Sequence, residues 1–321
     1  MPILISNGVV MTGGVNLIPG GSSPSPSHVF QGSNFGYTSG GYSPVQDGVN
    51  IIDKFSFTSD ADATDVGDLI NDAFRTAGQS SSTNGYVSGG LAPGVINVIQ
   101  KFTFTTDANA TDVGDLVNST RFMGGQSSAD NGYTSGGEAS GIGYNPTIEK
   151  FAFASDGNAS DIGDLTQSVG MSAGQSSSVS GYTCGGNLGG GVKSNVIDKF
   201  PFASDSDATD VGDLSTTKSN MSGQSSTASG YISGGQIPSD TNVIEKFSFS
   251  SDGNVTDVGD LIEGNESSAG QSSTDSGYVS GGKSDGTARN IIQKFSFSSD
   301  ANATDVGNLT LSRFDTCGQQ Y

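Results

Sequence analysis

The chain has 321 residues, with 33 acids against 13 lysines and arginines, a net charge of −20 and a pI near 4.1. That balance argues against nucleic acid, which demands a basic footprint, and against anionic membrane surfaces. No run of about 18 apolar residues occurs, so membrane insertion by a helix is not expected.

Residues 1–35 come first and match nothing later in the chain. Two apolar runs, Ile3-Leu4-Ile5 and Val9-Val10-Met11, are followed by a Gly/Ser/Pro stretch from Gly20 that reads as a linker. The opening lacks a basic stretch followed by an unbroken apolar core, so it does not read as a secretion signal. An apolar, strand-like arm on a linker suits docking by strand addition to a partner, through Ile3, Leu4, Ile5, Val9 and Val10. The competing reading is an arm that packs back on its own chain.

From residue 36 the sequence repeats. Gly-Tyr-x-Ser-Gly-Gly begins at Gly36, Gly85, Gly132, Gly181, Gly230 and Gly277, with Cys184 replacing serine in one copy. Each copy runs into Ile-x-Lys-Phe-x-Phe, as at Ile52–Phe57. A polar Asp/Asn turn and Val-Gly-Asp-Leu follow, as at Val66–Leu69. Ala-Gly-Gln-Ser-Ser, as at Ala77–Ser81, comes last. We name these segments by order in the unit: strand A is Gly-Gln-Ser-Ser, B is Gly-Tyr-x-Ser-Gly-Gly, C is Ile-x-Lys-Phe-x-Phe and D is Thr-Asp-Val-Gly-Asp-Leu. Phe-x-Phe puts two rings on one sheet face, and Gly, Asn and Asp punctuate the ends. Most phenylalanines recur at fixed phase, as core residues do. That outweighs the low apolar content of 32%, which alone would suit disorder.

Four short strands per unit at this period predict an all-β chain folded as a six-bladed β-propeller of four-stranded blades. The last segment, Arg313–Gln319, is a strand A with no B strand after it. The first unit lacks its own A strand, so the C-terminus is expected to complete it and close the molecule. The pattern resembles the kelch repeat: a Gly-Gly doublet ends the second strand, and an aromatic third strand and a polar hairpin follow. It departs from kelch in having no tryptophan. Leu69, Leu116, Leu165, Leu214, Leu261 and Leu309 stand in that region instead.

The two ends of such units differ. The C–D turns are nearly constant and hold more than half of the acids. The B–C and D–A stretches vary in length and content and hold or flank every cation outside strand C. Recognition commonly sits on variable loops of a rigid scaffold. The candidate binding residues there are Tyr42, Arg75, Arg121, Tyr144, Lys193, Lys283, Arg289 and Arg313. Neutral drift of surface loops is the alternative.

Within the C–D turn, Asp60, Asp62 and Asp68 share the spacing of an oxygen-ligand calcium loop, but Asp65 stands where such a loop bends at glycine. A hairpin whose Asp and Asn side chains satisfy turn amides is the other reading. Gln79, Gln126, Gln175, Gln224, Gln271 and Gln319 recur on strand A, either lining a channel or satisfying neighbouring backbone groups. Calcium aside, no cofactor is implied. No enzyme is expected. His28 is the one histidine, no Cys/His metal spacing occurs, and acids repeated six times suggest structure. Cys184 and Cys317 fall at different repeat positions, so no disulfide framework is expected.

Glycine- and serine-rich propellers with near-identical repeats resemble virion proteins of tailed bacteriophages. The resemblance implies a particle protein assembled in the host cytoplasm in multiple copies. The arm would bind other virion proteins, and the variable face would meet a host-surface glycan or protein. A cellular kelch-like interaction module and a secreted sugar-binding propeller remain open beside it.

Overall fold

A computed structural model of the chain describes residues 30–321 together with the backbone of Leu4–Ile5 and Val9–Val10, which pair antiparallel. Ile3 and His28 lie outside the described residues. The body is all-β and contains six four-stranded antiparallel sheets. In the second sheet Ala77–Ser80, Asn84–Ala92, Gly94–Thr103 and Thr111–Asp115 pair in sequence order, as strands A to D. The third to sixth sheets repeat this order from strands A at Gly124–Ser127, Ala173–Ser176, Ser222–Ser225 and Ala269–Ser272.

The first sheet takes its strand A from the other end of the chain. Cys317–Gln320 pairs antiparallel with Phe35–Ser39, in the register Gly36 to Gln320 and Ser39 to Cys317. The carbonyl of Tyr321 accepts from the amides of Ser33, Asn34 and Phe35. Residues 30–35, which the repeat pattern assigns to the arm, are thus part of the body. Gly32 also bridges Ser273, and Gln31 Nε2 donates to the Ser225 carbonyl.

The core lies between sheets. Among the described residues there are six apolar clusters, and each joins two consecutive sheets. One holds Tyr37, Ile52 and Leu69 of the first sheet with Val87, Phe102 and Phe104 of the second. Another joins Tyr278, Ile292 and Leu309 of the sixth sheet to Phe55 and Phe57 of the first. At every junction the strand B tyrosine stacks on the second phenylalanine of the next sheet, with Tyr37–Phe104 centroids 4.9 Å apart and Tyr278–Phe57 4.7 Å apart. Such a pair is worth about 0.5–1.5 kcal/mol beyond its buried area.

The strands A meet side by side. A Cβ on Gly78, Gly125, Gly174, Gly223, Gly270 or Gly318 would strike the carbonyl of the preceding strand A glycine, and for Gly78 that carbonyl is Gly318. Glycine is therefore required for this close approach. The Gly-Gly doublet after strand B has a different cause. Gly40 and Gly41 hold φ of 62° and 116°, a conformation that side chains disfavour.

The variable stretches carry more structure than the sequence pattern indicates. In the second and fourth sheets strands B and C simply lengthen, reaching Ala92 and Gly189. Elsewhere short hairpins form, such as Tyr42–Ser43 with Asp47–Gly48.

Candidate functional site

The constant face is built for cohesion. Each strand C lysine reaches an aspartate in the C–D turn of the next sheet: Lys54 to Asp107 at 3.0 Å, Lys101 to Asp156, Lys150 to Asp205, Lys199 to Asp252, Lys246 to Asp300, and Lys294 to Asp60 at 3.3 Å. The Asn or Asp two residues further on caps its neighbour. Asn109 Oδ1 accepts from the Asp68 amide, and Asp62 Oδ1 accepts from the Asn308 amide at 2.9 Å. Asp60 and Asp62 are thus engaged with the sixth sheet, and Asp68 contributes its backbone to the second. The three carboxylates do not converge. Among the described residues no group of three His, Cys, Asp or Glu is arranged to hold a metal ion. Two carboxylates of the spacing that resembles a calcium loop, Asp60 and Asp62, thus take part in contacts between sheets.

The strand A glutamines follow the same logic. Each is buried, and its Nε2 donates to the strand B tyrosine carbonyl of the next sheet: Gln79 to Tyr133 at 3.0 Å, through to Gln271 to Tyr37 at 2.9 Å and Gln319 to Tyr86 at 3.2 Å. Five of the six oxygens accept from strand B of their own sheet, as from Ser88 to Gln79 and from Cys184 to Gln175, whereas Gln126 Oε1 has no partner. These amides satisfy backbone groups. Both cysteines are free and buried, and burial pushes the Cys317 thiol up to about 11.

The variable face differs in kind. One residue from each D–A stretch, three before the strand A glycine, sits in the left-handed region: Arg75, Phe122, Met171, Asn220, Ser267 and Asp315, with φ between 54° and 63°. All six equivalent positions hold a non-glycine residue in this sparsely populated region, and such outliers gather at functional sites. Their backbones bond to one another. Phe122 donates to Arg75, Met171 to Phe122, Asn220 to Met171, Ser267 to Asn220, Asp315 to Ser267, and Arg75 to Asp315, all at 2.7–2.9 Å. The series closes on itself and leaves six unlike side chains around one opening.

That opening leads to a cavity of about 80 Å³. The residues that follow the six form its floor: Thr76, Met123, Ser172, Met221, Ser268 and Thr316. Below lies a further cavity of about 90 Å³, bounded by all six strands A. Phe30 also lines it, held by Gln320 Nε2, which donates to the Phe30 carbonyl. The chain therefore enters the body on the side of the A–B turns, opposite the opening.

The predicted binding residues separate into groups. Arg75 lies at the opening, where it pairs with Asp315 at 3.0 Å and stands 4.5 Å from the Phe122 ring centroid. Burial pushes the Asp315 carboxyl up, and Arg75 partly offsets this. Tyr42 packs beside Phe74 and Phe314, and Tyr144 lies against Gly170. Arg121 pairs with Glu138, Lys283 with Glu266 and Arg289 with Glu263. Lys193 donates to the carbonyls of Gln236 and Ile237, and burial lowers its pKa.

Arg313 corrects the expectation for this face. Its side chain is fully buried, pairs with buried Asp53 at 3.1 Å and donates to the Thr38 carbonyl. Lys218, also among the variable-stretch cations, is buried against Glu245 at 2.8 Å. Both cations answer acids that the pattern reading passed over, at the x of Ile-x-Lys-Phe. Asp53, Gln100, Glu149, Asp198, Glu245 and Gln293 are all buried there, and each accepts from the amide that follows the strand D leucine of the preceding sheet. Alternation offers the signal, since this position shares a strand face with both phenylalanines.

No protein-family model matches the chain, and a search of curated proteins finds no match either.

Proposed function

We propose that the six sheets form a closed six-bladed β-propeller of kelch-like type, a binding component without catalytic activity. In this reading it belongs to a phage particle, as a tail fibre or another surface-exposed part. The N-terminal arm joins it to other virion proteins, and the variable face contacts a host-surface glycan or protein. The observation that carries the reading is the division of labour between faces. The constant face spends its charged groups on neighbouring sheets, whereas the other gathers six unlike side chains around one strained opening. The position of Phe30 on the opposite side suits an opening turned away from the arm's partners.

Labelled full-length protein should bind a panel of bacterial surfaces selectively. A variant in which the Tyr42–Gly48 and Gly137–Asn145 excursions are exchanged for those of other units should lose that binding while keeping its melting temperature. Unchanged binding in that variant would remove the variable face from the account. A cellular protein-interaction module is the second reading. It is favoured by Val45, Ile142 and Val192, which are exposed on the same face.

A further inference from the structure

We infer that the opening framed by Arg75, Phe122, Met171, Asn220, Ser267 and Asp315 is a site for a neutral polyhydroxylated group, such as the terminal residue of a glycan chain. The inference rests on the reading of the variable face as a binding surface and names where on it the ligand sits.

The first support is the floor. Thr76, Ser172 and Thr316 line the cavity and are more than nine-tenths buried, and their hydroxyl oxygens have no hydrogen-bond partner in the protein. A buried hydroxyl left unpaired costs about 1–3 kcal/mol, so three around one cavity call for something polar to fill it. A hydroxyl both donates and accepts, and it is best met by a group that does the same.

The second support is charge. Arg75 and Asp315 are paired with each other at the rim, and Asn220 is an amide whose Nδ2 donates to Glu266 at 3.1 Å. The opening offers no uncompensated charge to select an ion. Phe122 and Met171 supply apolar wall between the polar groups, which suits the C–H face of a pyranose ring. The third support is size. About 80 Å³ is room for more than one water, and so for the hydroxyl edge of one sugar. The fourth is placement. Within strand A and its approach, Gly-Gln-Ser is nearly constant, while the two residues that build rim and floor change from sheet to sheet.

The test uses the full chain and its Thr76→Val/Thr316→Val variant, which removes two hydroxyls at nearly constant volume. Titration calorimetry with neutral methyl pyranosides, glycerol and sialic acid supplies the probes. At least one neutral probe should bind in the millimolar range, with affinity reduced about tenfold in the variant, and sialic acid should not bind. The variant should melt no lower than the parent. Absence of binding by every neutral probe would overturn the inference and leave only water in the cavity. So would equal affinity in the two proteins, or preference for the anionic sugar. Surface binding by the labelled protein separates the two ideas. If it survives the double substitution but not the exchange of excursions, the face binds and the opening does not.

Discussion

At the scale of single residues, the decisive groups are the buried polar ones in strand C. Glu149 accepts from the Val117 amide at 2.8 Å, and burial raises its carboxyl above the ordinary range. Gln100 and Gln293 perform the same task without charge. With its folded-state pKa raised, the native protein retains the Glu149 proton to higher pH than the unfolded chain does. Its contribution to stability therefore falls as pH rises from about 4.3 through the raised value, and is lowest above both. Glu149→Gln should stabilise the protein at pH 7.5, on the order of 1 kcal/mol, and the gain should shrink as pH approaches 4.5. Thermal melts across that range check it, and a variant no more stable at pH 7.5 would contradict it. Asp198, raised for the same reason, accepts twice from Thr166 and has the same sign.

Arg313 makes the opposite case. It answers Asp53 inside the protein, so Arg313→Met should leave a buried carboxylate without its cation and cost about 3–5 kcal/mol. Adding Asp53→Asn should restore most of that loss, because an amide oxygen can still accept from the Thr310 amide. Denaturant melts of the single and double variants decide it, and an equal loss in both would refute the pairing.

At the scale of elements, the repeat made strands B, C and D legible because aromatic alternation and glycine turns act locally. The last strand A was legible by counting, since one unit lacked a partner and one partner lacked a unit. What escaped was set by neighbours distant in sequence. Nothing within Asp60-Ala61-Asp62 shows that its side chains reach Lys294 and Asn308. Nor do Arg, Phe, Met and Ser at the opening advertise a left-handed backbone, which among side chains favours Asn and Asp. The pairing of strand A with the first sheet can be tested directly, because Cys317 lies opposite Ser39. In a Cys184→Ser background, Ser39→Cys should oxidise to a disulfide joining position 39 to Cys317, visible by peptide mass mapping. Free thiols at both positions after oxidation would count against this register.

At the scale of the whole molecule, beside the strand C acceptors and the turn Asn and Asp caps, five further kinds of contact run from each sheet to the next and from the sixth back to the first. They are tyrosine on phenylalanine, lysine to aspartate, glutamine to carbonyl, glycine against glycine, and the backbone series at the opening. Each is small, and exposed lysine–aspartate pairs contribute about 0–1 kcal/mol at most. In the proposed closed ring their repetition makes them mutually dependent, so opening any one junction weakens the rest.

The measurement that tests this most directly is a pair of spin-label distances. Thr58, Thr105 and Ser298 are equivalent exposed positions on the first, second and sixth sheets. Closure predicts that a Thr58→Cys/Ser298→Cys protein gives the same short distance as Thr58→Cys/Thr105→Cys. An open array of sheets would instead make the first-to-sixth distance several times the first-to-second.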